Sequence, residues 1–568
     1  MEALIRSLQD IVGPPHVLTS ASAKRRYCRG YRYGQGDAAA VVRPGSLRQM
    51  WQVLQACHAA DTIVICQAAN TGLTGGSSPA EAGYDRPVIV LNTLRLRRLE
   101  LLAQGQQVLT QPGVTLDQLE RTLKPLGREP HSVIGSSCMG ASVTGGICNN
   151  SGGSLIRRGP AYTQLALYAQ VDSDGQLRLV NHLGLELGET PEEILDRLDG
   201  GQLPNTDGGG VGAADNCDCG GRHASDHEYA QHVRDVDAAT PARYNADPRR
   251  LYEASGSAGH VVVFALRLDT FAADASSTVF YIGSNDAAEL EDIRRGLLQQ
   301  SPHLPIAGEY MHRSAFEASE RYGKDLFLFI HHFGTERLMQ AFAMKSRVDA
   351  WLERLGLRPG CSDRLLQRLS GWLPRHLPAR LTQYRDRYQH HLLLKMSEDG
   401  AAFARGFLQA RMPSVTGDFF ECDAAEGRAA FLNRFVVGAA IVRYRAVHAQ
   451  EVEDIVALDI ALPRNTRDWF EQLPPEIADK IRFTMYCGHF FCHVMHQEYL
   501  VRKGEDCEQV KSAILALLDA KGAKYPAEHN VGHQYRAEPA LEDFYRRLDP
   551  TNSFNPGIGK TSRLKHWR

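Results

Sequence analysis

The chain has 568 residues, 43% hydrophobic and 23% charged, with a formal net charge of −2. That length exceeds what one hydrophobic core holds, so roughly two to four domains are expected. The near-neutral balance gives no sign of a nucleic-acid binder, and any electrostatic function has to be local. The twelve cysteines are scattered, as suits a reduced chain and not a disulfide framework. No window reaches the roughly 18 apolar residues that a membrane span needs.

The opening segment MEALIRSLQDIVGPPHVLTS has no apolar leader core and reads as an amphipathic helix. Over residues 40–113, strands alternate with helices. AVVRP is a short strand, SLRQMWQVLQACHAAD an amphipathic helix, TIVICQ a buried strand and, after a Gly/Ser loop, PVIVLN another. This order predicts an α/β arrangement with ligand-binding loops. TLDQLERTLKPLG is a helix, and LALYAQVDSDGQLRLV a hairpin about a DSDG turn. Residues 200–222 are Gly- and Asp-rich and read as a surface loop. Cys217, Cys219, His223 and His227 there are metal-type donors, but one C-x-C without a second pair reads as incidental. HVVVFALRLDTF, residues 260–271, is an apolar strand that closes the first domain. Amphipathic helices and interspersed strands continue to about residue 520, and the tail is again rich in loops.

Two loops stand out. QAANTGLTGGSSP (67–79) and IGSSCMGASVTGGICNNSGG (134–153) carry no charge and little bulk. Glycine gives up conformational entropy that only a special backbone shape or a close neighbour justifies. Two such loops, each leaving a strand or opening a helix, can offer rows of backbone N–H groups to a phosphate. There is no G-x-G-x-x-G with an acidic residue about 20 further on, which disfavours a dinucleotide fold. The terminal NPGIGKTS only imitates a P-loop, because Phe554 stands where its first Gly belongs.

These loops and the strand at 261–266 resemble the FAD-binding domain of the vanillyl-alcohol oxidase/p-cresol methylhydroxylase family. Longer stretches are similar to the bacterial respiratory, quinone-dependent D-lactate dehydrogenases. They are LGREPHSVIGSSCMGASVTGGICNNSGGSLIRRGPAYT, ETPARYNADPRRLYE, AGEYMHR, KYPAEHNVGH and DPTNSFNPGIGKTS. The resemblance implies an α+β fold: a two-subdomain FAD-binding domain of the p-cresol methylhydroxylase type, an α+β cap, and a basic, mainly helical membrane-docking portion. It places the FAD-binding domain at 1–270 and 521–568, the cap at 271–311, 389–425 and 450–520, and the membrane portion at 312–388 and 426–449. The FAD pyrophosphate is expected on Ala68, Ala69, Asn70, Thr71 and Gly72 with Gly76 and Ser77. Gly135, Ser142 and Gly152 are expected to line the rest, and the Val263 backbone to meet it from the closing strand. Some relatives attach the flavin through a His in the first loop; here that loop has no His or Cys, so a non-covalent FAD is expected.

Oxidising a 2-hydroxy acid needs a cation for the carboxylate, a base or Lewis acid for the hydroxyl proton, and the Cα–H facing the flavin. PAEHNVGH supplies Glu528, His529 and His533 and resembles the E-H-G-[IV]-G motif of FAD-linked 2-hydroxy-acid dehydrogenases, with Asn530 in place of Gly. His529 is the expected base. In such relatives an H-x₆-H pair and the Glu can bind a divalent metal; His489 and His496 have that spacing, and the donors suit zinc or manganese. Seven residues of continuous helix span about 10.5 Å, and on one strand an odd separation faces opposite ways, so a local bend is required. Arg443, in AAIVRYRAVH before the strand IVALDIALP, is the expected carboxylate clamp, with Arg445 a neighbouring alternative.

Residues 364–395 hold six Arg and one Lys against one Asp, with Trp372, Tyr384, Tyr388 and many Leu interleaved. Such a segment suits a surface of anionic membrane lipids. The resemblance implies D-lactate as substrate, ubiquinone or menaquinone as electron acceptor, and peripheral attachment to the cytoplasmic face of the bacterial inner membrane. The alternative within the same chemistry is another 2-hydroxy acid, glycolate or D-2-hydroxyglutarate.

Overall fold

The computed structural model describes residues 1–131, 139–204, 221–356 and 360–568. Two sheets build the first lobe. β1 (Val17–Leu18), β2 (Ala40–Val42), β3 (Ile63–Gln67) and β4 (Val88–Asn92) lie in the order β1-β2-β4-β3, with β2, β4 and β3 parallel. Parallel strands need cover on both faces, hence their unbroken apolar runs. Helix Leu47–Ala59 covers one face, its start capped by the Ser46 hydroxyl, which accepts the Gln49 N–H.

β5 (Leu99–Leu102), β6 (Gln107–Thr110), β7 (Arg128–Glu129), β8 (Ala166–Val171), β9 (Leu177–Asn181), β10 (Val262–Asp269) and β11 (Phe271–Ala272) follow. Five of them form an antiparallel sheet in the order β5-β6-β10-β8-β9, and β7 pairs with β11. The predicted hairpin is β8–β9, its turn closed by Gly175 at φ +74°. The tail returns to this lobe: the Val64 N–H donates to the Ser553 carbonyl (2.9 Å) and the Asn555 N–H to the Val64 carbonyl (3.0 Å).

The cap is one seven-stranded antiparallel sheet of β12 (Ser277–Ser284), β13 (Ala307–His312), β14 (His390–Ser397), β15 (Gly417–Glu421), β16 (Val452–Ala461), β17 (Ile481–His489) and β18 (Val494–Arg502), ordered β15-β12-β14-β13-β17-β18-β16. Strand alternation sorts its side chains. Phe280, Ile282, Tyr310, Leu392 and Leu394 pack under helices Ala287–Gln300, Glu398–Gln409 and Cys507–Ala520. Tyr281, Met311, Leu393, Met485 and Cys487 face the other way, under helices Arg313–Tyr322, Ala424–Phe435 and Val437–Val447. This second face also carries the polar cluster described next.

Candidate active site

The bend that the His489–His496 spacing requires is a hairpin. β17 ends at His489, the 3₁₀ turn Phe490–Cys492 and His493 at φ +52° reverse the chain, and β18 begins at Val494. In this register Cys487 lies opposite His496 and His489 opposite Val494. An odd separation that would split two residues across one strand therefore puts these two on the same face, as diagonal neighbours. Their rings meet edge to face with centroids 5.0 Å apart. The ring of His493, which could have intervened, turns away to the Glu291 carboxylate (3.0 Å).

Glu528 descends from the tail to complete the group: its Oε2 lies 3.4 Å from His489 Nε2 and 3.9 Å from His496 Nε2. One donor atom from each of the three residues lies within 4.8 Å of the others. Bonds of about 2.1 Å in a tetrahedral zinc site imply donor separations of about 3.4 Å, and three protein ligands leave one position open. The donor set fits a divalent metal such as zinc or manganese.

Four further residues hold this group, and the sequence reading named none of them. Glu309, opposite His489 on β13, sits 2.7 Å from His489 Nδ1 and 3.1 Å from Arg434 Nε. Asp459, opposite His496 on β16, sits 3.3 Å from His496 Nδ1 and 3.8 Å from His529 Nε2, and accepts the Glu528 N–H at 2.6 Å. Arg243 Nη2 donates to Glu528 Oε1 at 2.7 Å. Burial opposes the charge on Glu528, but His489 and Arg243 outweigh it and hold its pKa well below the carboxylate range. Burial likewise opposes a charged His489, yet Glu309 and Glu528 raise its pKa to about 10. The field that favours a proton on His489 favours a metal cation in its place.

Arg443 is not part of this cluster. It lies in helix Val437–Val447, donating from Nε to Asp363 and from Nη2 to Asp325, each at 3.0 Å. Two carboxylates, from helices Lys324–Phe333 and Cys361–Ser370, thus occupy it, which corrects its expected role as clamp. Arg445 is no substitute, being paired to Asp454 at 3.2 Å. Arg434, at the end of helix Ala424–Phe435, is the partly buried arginine beside the cluster. Among the described residues Glu309 is its one ion-pair partner, and its Nε has no hydrogen-bond partner, so the guanidinium can take a further carboxylate. His533 also leaves the cluster, its Nε2 lying 3.0 Å from the Ser78 carbonyl.

The first small-residue loop has a fixed shape. Asn70 takes φ +55°, its Oδ1 accepts from Ser77 Oγ at 2.9 Å, and Asn92 Nδ2 donates to the Ala68 carbonyl at 3.0 Å. Ala69 and Thr71 complete this backbone run, and a Cβ at Gly72 would meet nothing within 4 Å. In the second loop Ser142 caps helix Val143–Cys148 by accepting the Gly145 N–H at 3.0 Å, and the buried Thr144 hydroxyl has no partner among the described residues. Open backbone on one loop and an orphaned hydroxyl on the other fit a flat cofactor between them. Val263 sits where β10 shifts register against β8. Two glycines have a different reason to be small. A Cβ at Gly76 would stand 2.8 Å from the Asn530 amide, and one at Gly152 would overlap the Glu528 carboxylate. Here the close neighbour is the protein's own tail. Gly135, Cys217 and Cys219 lie outside the described residues.

The basic stretch 364–395 divides in two. Arg380 pairs with Glu426, Arg385 with Glu320 and Arg387 with Asp418, while Tyr384 packs on Tyr281 and Phe420. The second half is thus tied to the cap by ion pairs and aromatic packing, with Arg380 and Arg387 still exposed. In the first half Arg368 and Arg375 are exposed beside Leu365, Leu369 and Trp372, the last 86% exposed; Met344 and Trp351 are exposed on the preceding helix. Among the described residues no helix is long and apolar enough to cross a membrane.

Residues 38–181 match the family model for an FAD binding domain, and residues 279–567 the model for "D-lactate dehydrogenase, membrane binding". The structure of p-cresol methylhydroxylase with bound substrate matches with a TM-score of 0.58 at 12% identity, over 98% of this chain and 96% of that one. An alkyldihydroxyacetonephosphate synthase matches with a TM-score of 0.55 at 11% identity, over 98% and 84%. The fold is therefore that of an FAD-binding α+β protein of the p-cresol methylhydroxylase type. The quinone-dependent D-lactate dehydrogenases of Escherichia coli (strain K12) and Haemophilus influenzae are 54% and 52% identical to it over 568 and 569 residues, covering 100% of this chain and 98% and 99% of theirs. The chain belongs to the quinone-dependent D-lactate dehydrogenase family.

Proposed function

We propose that this protein oxidises D-lactate to pyruvate at a non-covalently held FAD and passes the electrons to a membrane quinone, ubiquinone or menaquinone. The observation that carries the reading is the convergence of His489, His496 and Glu528, with donor atoms within 4.8 Å, beside His529 and Arg434. Arg434, which pairs with Glu309 alone among the described residues, binds the substrate carboxylate and so fixes the orientation of C2. His529 accepts the hydroxyl proton as general base. Glu309 and Arg243 hold His489 and Glu528 in place and keep the charge of the site balanced. FAD, held between the loops at 68–77 and 142–152, supplies the hydride acceptor. His489, His496 and Glu528 would hold a divalent ion, which when bound would supply a Lewis acid for the substrate hydroxyl.

The exposed Trp372, Trp351, Leu365 and Leu369 among arginines suit the interface of an anionic bilayer, on the cytoplasmic face where quinone is within reach. A steady-state comparison with a soluble quinone analogue tests the substrate. D-lactate is expected to exceed L-lactate, glycolate and D-2-hydroxyglutarate in kcat/KM by at least about tenfold. A higher value for either of the last two would reassign the site to that acid.

A further inference from the structure

The Asp459 carboxylate, 3.8 Å from the His529 ring, is beyond hydrogen-bond reach. What fixes the expected base is its main chain, which is fastened on both sides. The His529 carbonyl accepts from Asn245 Nδ2, and the Asn530 carbonyl accepts from the Thr74 hydroxyl at 2.7 Å. The His533 N–H then donates back to the Thr74 carbonyl at 3.0 Å.

Asn530, 8% exposed, is the centre of this fastening. Its Nδ2 donates to Asn149 Oδ1 at 2.9 Å, and its Oδ1 accepts the Gly532 N–H at 2.7 Å. A Cβ on Gly76 would stand 2.8 Å from the same Nδ2, so the amide lies close against that glycine. Thr74 and Gly76 belong to the first small-residue loop and Asn149 to the second. One residue thus spans the two loops between which FAD fits, and it is the chain neighbour of the expected base. A carboxamide suits the place because it carries a donor and an acceptor on one short arm. The second loop reaches the base by another route as well. Asn150 Nδ2 donates to the Asn245 carbonyl at 3.4 Å, and Asn245 holds the His529 carbonyl. We propose that Asn530 is a positioning residue for the reaction proposed above, on which this inference rests: it clamps both FAD loops to the tail segment of His529, so that one amide sets the seat of the cofactor and the place of the base.

Asn530→Ala removes both side-chain bonds and leaves the Thr74 contact. Asn149→Ala breaks the same link from the loop side, and carries the test alone if Asn530→Ala fails to fold. FAD release from the loaded protein, followed by its fluorescence after dilution, should quicken at least about fivefold in either variant. The visible circular dichroism of the bound flavin should change with it. The double variant should release FAD within about twofold of Asn530→Ala, since both changes break one link. In Asn530→Ala, kcat for D-lactate should fall at least about tenfold with KM within about threefold of wild type. A purely structural role would lower stability to urea but leave flavin dichroism and FAD release as in wild type. Release within about twofold of wild type in either variant would overturn the clamp. So would a double variant whose effect is the product of the single ones, or faster release with kcat unchanged. Release and dichroism are read without substrate, so they test Asn530 even if wild-type protein fails to oxidise D-lactate; that failure would instead refute the substrate assignment.

Discussion

Arg434 and Arg443 lie on adjacent helices, and their partners decide what each can do. Among the described residues Arg434 pairs with one carboxylate, Glu309, near its Nε, whereas Arg443 is held by hydrogen bonds to Asp363 and Asp325. An arginine already saturated by two carboxylates has little left for a third. Arg434→Met should therefore lower kcat/KM for D-lactate by about 100-fold or more with FAD still bound. Arg443→Met should leave kcat/KM within about twofold but destabilise the protein by about 1–3 kcal/mol, because Asp325 and Asp363 lose their shared cation. Steady-state kinetics and urea unfolding of the two variants check both halves. The sequence could not separate these arginines. Both sit on helix-forming segments, and what distinguishes them is carboxylates over 70 residues away in the chain, supplied by other elements.

At the scale of elements, the hairpin β17–β18 makes the site, and its turn is fastened from behind. His493 Nε2 lies 3.0 Å from Glu291, which Arg294 grips through two hydrogen bonds of 2.7 Å. Burial opposes the Glu291 charge, but Arg294 and His493 outweigh it and bring its pKa down to about 2 from the usual 4.5. Burial together with Arg294 holds the His493 pKa down. A depressed carboxylate contributes stability that is fully present above pH 4.5 and lost as pH falls toward 2, here about 3 kcal/mol. Urea unfolding at a series of pH values should show wild-type stability falling across that window. Glu291→Gln should start lower and fall less. Equal slopes for both proteins would contradict this assignment.

Much at this scale was legible in the sequence, for a physical reason. Strands such as TIVICQ and PVIVLN and the capped helix before them are set by local periodicity. The spacing of His489 and His496 demanded a bend, though not its form. Glu309 and Asp459 left no local trace, because strand pairing in the cap brings Glu309 to His489 and Asp459 to His496. The glycines misled in one respect: Gly76 and Gly152 make room for Asn530 and Glu528, tail residues that sequence distance hides.

At the scale of the whole molecule, the cap sheet joins the two ends of the function. One face carries Glu309, His489, His496 and Asp459, and the same face is covered by helices Ala424–Phe435 and Val437–Val447. The first holds Arg434 and the second, through Arg443, ties in helices Lys324–Phe333 and Cys361–Ser370, the latter carrying the exposed Leu365 and Leu369. Composition marked the basic stretch but not its division, because pairing of Arg380, Arg385 and Arg387 with Glu426, Glu320 and Asp418 is a tertiary fact. The central claim is that this one molecule takes electrons from D-lactate onto FAD. An anaerobic absorbance scan of the FAD-loaded protein, before and after D-lactate and then L-lactate, tests it most directly. The account predicts loss of the oxidised flavin band with D-lactate and no change with L-lactate; a flavin band that D-lactate leaves intact would contradict it.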